Sequence, residues 1–134
     1  MVSIFWANKI MADAYTNNTG EFWFGLSSTY PNMNGNGATE PSGEGYVRVK
    51  VTGFSVPENG SVYNLNALNF PQSTGTWFPA ENKAKYWVLF DGNDIDAHVL
   101  AAGELHTPLA VEAFTNLSVD ARELQVVLTD ATLG

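Results

Sequence analysis

The sequence predicts an all-β protein, a jelly-roll-like antiparallel β-sandwich of about seven to eight strands preceded by one short N-terminal helix. Three observations predict this fold class. Apolar and polar residues alternate with a period of two after Gly20. Clusters of Gly, Pro and Asn punctuate the chain at short spacing, and no helical pattern returns between the strands, which argues against βαβ units. With 134 residues and no linker, we expect a single domain over 1–134, with the helix in 1–19 and the sandwich in 20–134.

The N-terminal helix is indicated by a capping residue and by helical spacing. Ser3 can cap the first turn. Asn17, Asn18 and Gly20 are expected to end the helix, with Gly20 as the left-handed stop. The apolar positions recur every three or four residues: Ile4, Ala7, Ile10, Met11 and Ala14. Phe5 and Trp6 widen this apolar face, which either closes the open end of the sheet or docks on another subunit. The candidate docking residues are Phe5, Trp6, Ile10 and Met11.

The strand pattern occurs in seven segments: 21–27, 46–52, 62–70, 86–90, 97–105, 108–114 and 123–129. Asn64 and Asn66 are expected to interrupt segment 62–70. Segment 86–90 is apolar almost throughout, which predicts a central strand covered on both faces. In segment 46–52 the valines alternate with Arg48 and Lys50, which are expected on a solvated face. Asn59-Gly60 is the strongest hairpin-type turn, and the dense Gly and Pro residues of 30–45 and 71–79 indicate loops.

The composition excludes several classes of protein. Charged residues are 15% of the chain, with six basic residues against 14 acidic ones and a net charge of −8. Gly, Asn, Thr and Ser supply most of the polar character, and the aromatic content of 13% argues against disorder. Few basic residues argue against nucleic-acid binding and against anionic membranes. There is no Cys, no apolar run near 18 residues for membrane insertion, and no signal peptide is expected.

Side chains that could carry chemistry form no recognisable catalytic, cofactor or metal pattern. His98 and Glu104 share a strand face, but six residues of strand separate them by roughly 20 Å. The turn 91–96 departs from the helical-hand calcium loop, so a hairpin turn is favoured and an unusual cation site stays open. No nucleophile elbow or phosphate-binding loop with its Lys occurs. We therefore expect no catalytic residue, no cofactor and no enzyme, with a polysaccharide-acting enzyme as the least favoured alternative.

Trp77 is the aromatic residue whose role the sequence leaves most open. It lies beside Phe78 in the loop 71–79, between Gly75 and Pro79. A loop aromatic can stack on a sugar, or it can plug the end of a sandwich, and the second role is favoured because Trp rarely stays exposed. Trp77 is kept as the candidate ligand contact.

Six short motifs follow one another along the chain. They are Leu26-Ser27-Ser28-Thr29, the loop from Thr39-Glu40-Pro41-Ser42-Gly43 to Tyr46-Val47-Arg48, Gly60-Ser61-Val62-Tyr63-Asn64, Phe70-Pro71 with Thr76-Trp77, the apolar strand ending in Phe90-Asp91, and Gly103-Glu104-Leu105-His106-Thr107-Pro108. This succession resembles a family of small tailed-bacteriophage virion proteins, often labelled phage tail fibre proteins, over about residues 4–130. The chain departs from that family at Glu44, where Gly is usual, at His106, and in a longer segment before Tyr86.

The resemblance implies a structural component of a bacteriophage virion, of the tail fibre, tail tip or capsid-decoration type, without catalytic residues. Such a protein is made in the host cytoplasm and localised in the virion. Because virion parts work as symmetric assemblies, we expect a homotrimer or another symmetric oligomer that also contacts other virion proteins. The alternative function is a receptor- or glycan-binding adhesin that contacts glycans of the host surface.

Overall fold

The computed structural model describes residues 2–128, which contain a short N-terminal helix and eight β-strands. The helical elements are α1 (Ile4–Met11) and a π-helical segment (Ala12–Thr16), and the strands are β1 (Phe22–Ser27), β2 (Val49–Val51), β3 (Ser61–Tyr63), β4 (Leu68–Asn69), β5 (Ala84–Phe90), β6 (Val99–Leu109), β7 (Ser118–Val119) and β8 (Gln125–Val127). The predicted class, all-β with antiparallel sheets after one short helix, is confirmed.

The chain forms two compact units, each built from separate stretches of sequence. The first, here called the helix unit, contains the described residues within 2–20, 51–67 and 119–128. The second, the sheet unit, contains 21–50 and 68–118. The expectation of a single domain is not decided by this grouping and stays a prediction.

The sheet unit is organised around strand β5. Its sheet has the order β2-β1-β5-β6, and β5 pairs antiparallel with β1 and with β6. Val88, Leu89 and Phe90 are at most 3% exposed, which confirms the prediction of a central strand covered on both faces. Strand β6 lies at the edge of this sheet. It can therefore contain Pro108, which has no N–H to donate to a neighbouring strand.

Strand β6 also corrects the predicted strand boundaries. It runs continuously through two segments that the sequence predicted as separate, 97–105 and the start of 108–114. The remainder of the second segment is not a strand. Val111 forms an isolated bridge with Phe78, and 113–114 is a turn in which Phe114 has a φ of 63°.

An aromatic cluster forms much of the core of the sheet unit. The rings of Phe24 and Phe70 lie 5.9 Å apart, and Phe70 and Trp77 lie 6.0 Å apart. Tyr46 meets Trp77 edge-on at 5.2 Å. Offset and edge-to-face rings of this kind add to the free energy gained by burying their area.

In the helix unit, α1 begins at the predicted cap. Ser3 Oγ accepts a hydrogen bond of 3.2 Å from the backbone N–H of Trp6. The helical structure ends at Asn17, as predicted, but its last turn is π-helical, because α1 passes at Ala12 into the segment that Asn17 caps. Gly20 is not a left-handed stop: its N–H donates to the side chain of Asn18, two residues earlier.

The predicted turn Asn59-Gly60 is confirmed, and helix α1 contacts it. Both residues have a positive φ, 52° and 79°, as the central residues of a type I′ turn require. Asn8 Oδ1 of α1 accepts a 2.7 Å hydrogen bond from Gly60 N. A Cβ on Gly60 would meet the Cβ of Ala7 at 3.2 Å, so the turn needs glycine for close approach as well as for φ.

A buried asparagine explains why the predicted strand 62–70 divides into β3 and β4. The side chain of Asn64 is inaccessible to solvent. Its Oδ1 accepts from Leu124 N at 2.9 Å, and its Nδ2 donates to the carbonyls of Asn66 and Asp120. These bonds lie beside the antiparallel pair β3–β8. Strand β8 is the described part of the predicted strand 123–129, whose residue Thr129 lies outside the described residues.

Candidate functional site

Helix α1 exposes three large apolar side chains in a row. Ile4, Phe5 and Trp6 are 61%, 78% and 52% exposed; these three residues are called the helix surface below. At 100° per residue, Phe5 and Trp6 lie about 100° to 160° around the helix from the buried Ala7 and Met11. The helix therefore packs on one side and presents aromatic rings on another.

The structure separates the four predicted docking residues. Phe5 and Trp6 are exposed, and Ile10 is half-buried. Met11 is 3% exposed and belongs to the core of the helix unit, so a partner cannot contact it without unpacking the helix. Its assignment as a docking residue is corrected here: helical spacing identified an apolar residue without showing which side of the helix packs.

Trp77, the predicted ligand contact, is a core residue. It is 5% exposed, and its indole N–H donates a 2.7 Å hydrogen bond to the carbonyl of Glu44. The ring is thus buried, and its N–H is hydrogen-bonded, within the sheet unit. The ligand-contact interpretation of Trp77 is corrected, because its ring is covered and its donor is used.

A cleft of about 500 Å³ opens in the sheet unit. The loop 33–38 lines one part of it, the segment 95–99 lines another, and Glu40, Arg48 and Phe90 form its buried part. The sequence did not predict this cleft, because it arises where two loops distant in sequence meet.

Arg48 and Glu40 form the best-connected ion pair among the described residues of this unit. Arg48 Nη2 lies 2.8 Å from Glu40 Oε1, and Arg48 Nε donates to both carboxylate oxygens at 3.1–3.2 Å. The two side chains are 12% and 17% exposed. The prediction that Arg48 lies on a solvated face is wrong, since period two gives the face of a residue but not what covers that face.

The remaining donors of Arg48 fix a second loop. Its Nη1 donates to the carbonyls of Gly92 and Asp94 at 3.0 Å each. Its guanidinium carbon lies 3.5 Å from the centroid of the Phe90 ring, a cation–π contact. One side chain thereby joins the loop that contains Glu40 to the turn that follows β5.

Tyr46 completes this cluster from the other side of the carboxylate. Its hydroxyl donates to Glu40 Oε2 at 2.6 Å and accepts from Leu26 N at 3.1 Å. Burial raises the pKa of the Tyr46 phenol, and the negative charge of Glu40 raises it further. The hydroxyl is therefore a permanent donor to the carboxylate and not an acid–base group at neutral pH.

Two carboxylates of the acidic turn after β5, those of Asp91 and Asp94, are hydrogen-bonded within residues 91–98. Asp91 accepts from His98 N at 2.7 Å, and its other oxygen lies 2.8 Å from His98 Nδ1. The side-chain hydrogen bond from His98 holds the pKa of Asp91 below its usual range. Asp94 Oδ1 accepts from Asp96 N. Over the described range 2–128, no group of three Asp, Glu or His side chains is placed to hold a metal ion.

The loop 33–38 is fixed by its neighbours. Asn32 Oδ1 accepts from the N–H groups of Asn34 and Asn36 at 2.9 and 3.1 Å, and the hydroxyl of Thr29 donates to the carbonyl of Gly37. Gly35 and Gly37 have φ angles of 79° and 96°. This side of the cleft is consequently formed before any ligand arrives.

Three of the six motifs meet beside the cleft. The Oγ of Ser27, the second residue of the first motif, accepts from Thr39 N at 2.8 Å. The loop motif supplies Glu40 and Arg48, and the strand motif supplies Phe90 beneath the guanidinium. In the sequence these residues belong to separate motifs, and only the structure shows that they lie beside the same cleft.

Comparison with known proteins gives one family match. The family model described as podophage GP4 fiber I protein gp80 matches residues 3–127. No curated protein matches the chain at a significant level. Among the helical residues of 2–128, none form a helix long and apolar enough to cross a membrane.

Proposed function

Because the chain belongs to the podophage GP4 fiber I protein gp80 family, we propose that it acts in the virion as a structural fibre component that assembles through the helix surface. The family makes it a phage fibre-type protein of the virion and supports a non-enzymatic role. The step beyond the family is the assembly: a symmetric oligomer of this chain, with a homotrimer as the expected form and other virion proteins as further partners.

The helix surface is the observation that carries this proposal. Phe5 and Trp6 are aromatic side chains of the kind that concentrate in the centre of protein interfaces. Burial of exposed aromatic rings by a partner removes apolar surface from water and therefore favours association.

The low charge of α1 favours a second copy as the partner. Each copy has a net charge of −8, so two copies repel wherever their acidic surfaces meet. Within α1, Lys9 is the single charged residue, and it lies 3.8 Å from Asp13 in the following turn. Contact through this helix therefore brings little uncompensated charge together.

Sedimentation velocity tests the assembly directly. The wild-type chain and the double variant Phe5→Ser/Trp6→Ser are compared over a range of protein concentrations. We expect the wild type to sediment as an oligomer and the variant as a monomer. Ile95→Ser is the matched control, because Ile95 is 94% exposed but lies in the sheet unit, and it should sediment as the wild type does.

Folding and assembly are distinguishable in this experiment. Both substituted side chains are largely exposed, so circular dichroism and the thermal midpoint of the monomer should change little. A wild-type chain that remains monomeric at high concentration, or a double variant that assembles as well as the wild type, overturns the proposal.

A second candidate function is recognition of a glycan on the host surface. The cleft of the sheet unit supports it, because the cleft is concave, contains amide, carboxylate and imidazole groups, and is bordered by aliphatic side chains. This function does not require the helix surface.

A further inference from the structure

We infer that the cleft between the loop 33–38 and the segment 95–99 is a binding site for a neutral sugar unit. The inference rests on the second candidate function, glycan recognition, and assigns to it both a place and a chemical class of ligand. It does not depend on the assembly of the chain.

The size of the cleft suits one or two sugar rings. Its volume of about 500 Å³ lies within the range of roughly 300 to 1,000 Å³ that is usual for small-molecule sites. Two smaller depressions adjoin it. One shares Met33, Gly35 and Val99 with the cleft, and the other shares Glu40, Arg48 and Ile95. A chain of sugar units could thus extend beyond the first ring in either direction.

The cleft is organised in advance by bonds that are independent of a ligand. Arg48 holds Glu40 and the carbonyls of the turn 91–96 together. Asn32 fixes the loop on the other side through two backbone N–H groups. Because these groups are already ordered, binding does not incur the entropic cost of arranging them.

Charge selects against anionic ligands. Arg48 is the one cationic side chain that is permanently charged among the lining residues, and Glu40 neutralises it at 2.8 Å. Asp96 adds a negative charge to the lining, and the whole chain has a net charge of −8. A phosphate, a uronic acid or a sialic acid would therefore meet uncompensated negative charge.

The accessible polar groups suit hydroxyl groups. The exposed Asn34 and Asn36 offer both amide donors and acceptors, and the Asp96 carboxylate is a strong acceptor. His98 also lines the cleft and is exposed, and its Nδ1 is hydrogen-bonded to Asp91. A polyhydroxylated ring can both donate to the carboxylate and accept from the amides.

Aliphatic side chains beside these groups suit the C–H faces of a sugar ring. Met33 and Ile95 both line the cleft and are almost fully exposed. Phe90 is the one aromatic residue of the lining, and it is buried beneath Arg48. Without an exposed ring to stack on, a single site should bind weakly, and several copies on one fibre would raise the apparent affinity.

Amide chemical-shift mapping by NMR tests this inference. The probes are the methyl glycosides of glucose, galactose, mannose and N-acetylglucosamine, with glucuronic acid as the charged counterpart of glucose. We expect at least one neutral probe to shift the amides of 33–38 and 95–98 in a saturable manner, and glucuronic acid to shift them several-fold less.

Substitutions on the rim locate the contact. Asp96→Ala and Asn36→Ala should each weaken the binding of the responding sugar at least several-fold. Asn116→Ala is the matched control, an exposed asparagine outside the cleft lining, and should bind as the wild type does. The spectra themselves report whether each variant is folded.

The titration is repeated on Phe5→Ser/Trp6→Ser, so that failure of assembly and failure of sugar binding are separated. Binding by this variant supports the site whatever the oligomeric state. The inference is overturned if no neutral probe shifts the cleft amides, if the shifts lie elsewhere, or if glucuronic acid binds as well as glucose. Cleft amides that respond to a virion protein but to no sugar also overturn it, since the cleft is then a protein-docking site.

Discussion

Glu44 holds a backbone conformation that usually belongs to glycine. Its φ is 55°, between Gly43 at 86° and Gly45 at 81°. Its carbonyl accepts hydrogen bonds from the Trp77 indole and from Thr74 N, so the surrounding core requires this geometry. This geometry is a physical reason why Gly is usual at this position in the resembling family, and the structure does not explain why this chain has Glu there.

We expect Glu44→Gly to raise the free energy of unfolding by about 0.5 kcal/mol. The gain is the left-handed strain of a side chain, about 1 kcal/mol, less the greater backbone entropy that glycine loses on folding. Ser42→Gly is the control in the same loop, because Ser42 has no positive φ and should lose stability. Urea unfolding measures both. Equal losses in the two variants would show that Glu44 is not strained.

The buried hydroxyl of Tyr46 makes the free energy of unfolding depend on pH in the alkaline range. Tyr46→Phe removes the bonds of the hydroxyl to Glu40 and to Leu26 N, which we expect to cost about 2 kcal/mol. The folded pKa of Tyr46 is raised, so the wild-type free energy of unfolding falls once the pH rises above about 10, where the unfolded phenol ionises.

The variant should therefore lose less stability between about pH 8 and pH 11 than the wild type does. Urea unfolding at the two pH values measures the difference. Tyr30→Phe is the control, since Tyr30 is 58% exposed and should leave the alkaline loss unchanged. An alkaline loss that is the same in Tyr46→Phe and the wild type would contradict this assignment.

At the scale of elements, the Glu40–Arg48 pair joins the loop 39–48 to the turn after β5. Arg48→Met leaves a largely buried carboxylate without its partner, and we expect a loss of about 3 kcal/mol. Pairing it with Glu40→Gln should restore part of that loss. Lys50→Met is the matched control, because the ion pair of Lys50 with Glu21 is 3.8 Å long and about half exposed and should contribute little. Additive losses from the two cluster substitutions would show that the residues are not coupled.

Some elements could be predicted because their signals are local. The Ser3 cap, the Asn59-Gly60 turn and the apolar β5 each depend on residues within a few positions of one another. The interruption of strand 62–70 was predicted at Asn64 and Asn66 and is confirmed, but its cause could not be. That cause is the set of bonds from Asn64 to Asp120 and Leu124, which lie 56 and 60 residues away.

The same contrast between local and long-range features applies to the candidate site. Phe5 and Trp6 could be proposed for docking because they widen the apolar face that helical spacing predicts, although the sequence did not separate them from the buried Met11. The cleft could not be proposed, because its two sides are more than fifty residues apart in sequence and are joined through Arg48. A side chain that bonds across such a distance leaves no periodic signal.

At the scale of the whole molecule, net charge and the helix surface act in opposite directions on assembly. A net charge of −8 on each copy opposes association at low ionic strength. The contact proposed for α1 is apolar, so salt should not weaken it and should strengthen it where the salt favours burial of apolar surface. The dependence of assembly on salt therefore reports which kind of contact holds the copies together.

We expect self-association to become tighter as sodium chloride is raised from about 0.1 M to about 1 M, because the Debye length falls from about 10 Å to about 3 Å and the repulsion between copies is screened. Sedimentation equilibrium at several salt concentrations measures the association constant. Phe5→Ser/Trp6→Ser should stay monomeric throughout, because screening alone provides no apolar contact. Association that weakens as salt is added would mean that ion pairs, and not the helix surface, hold the assembly together.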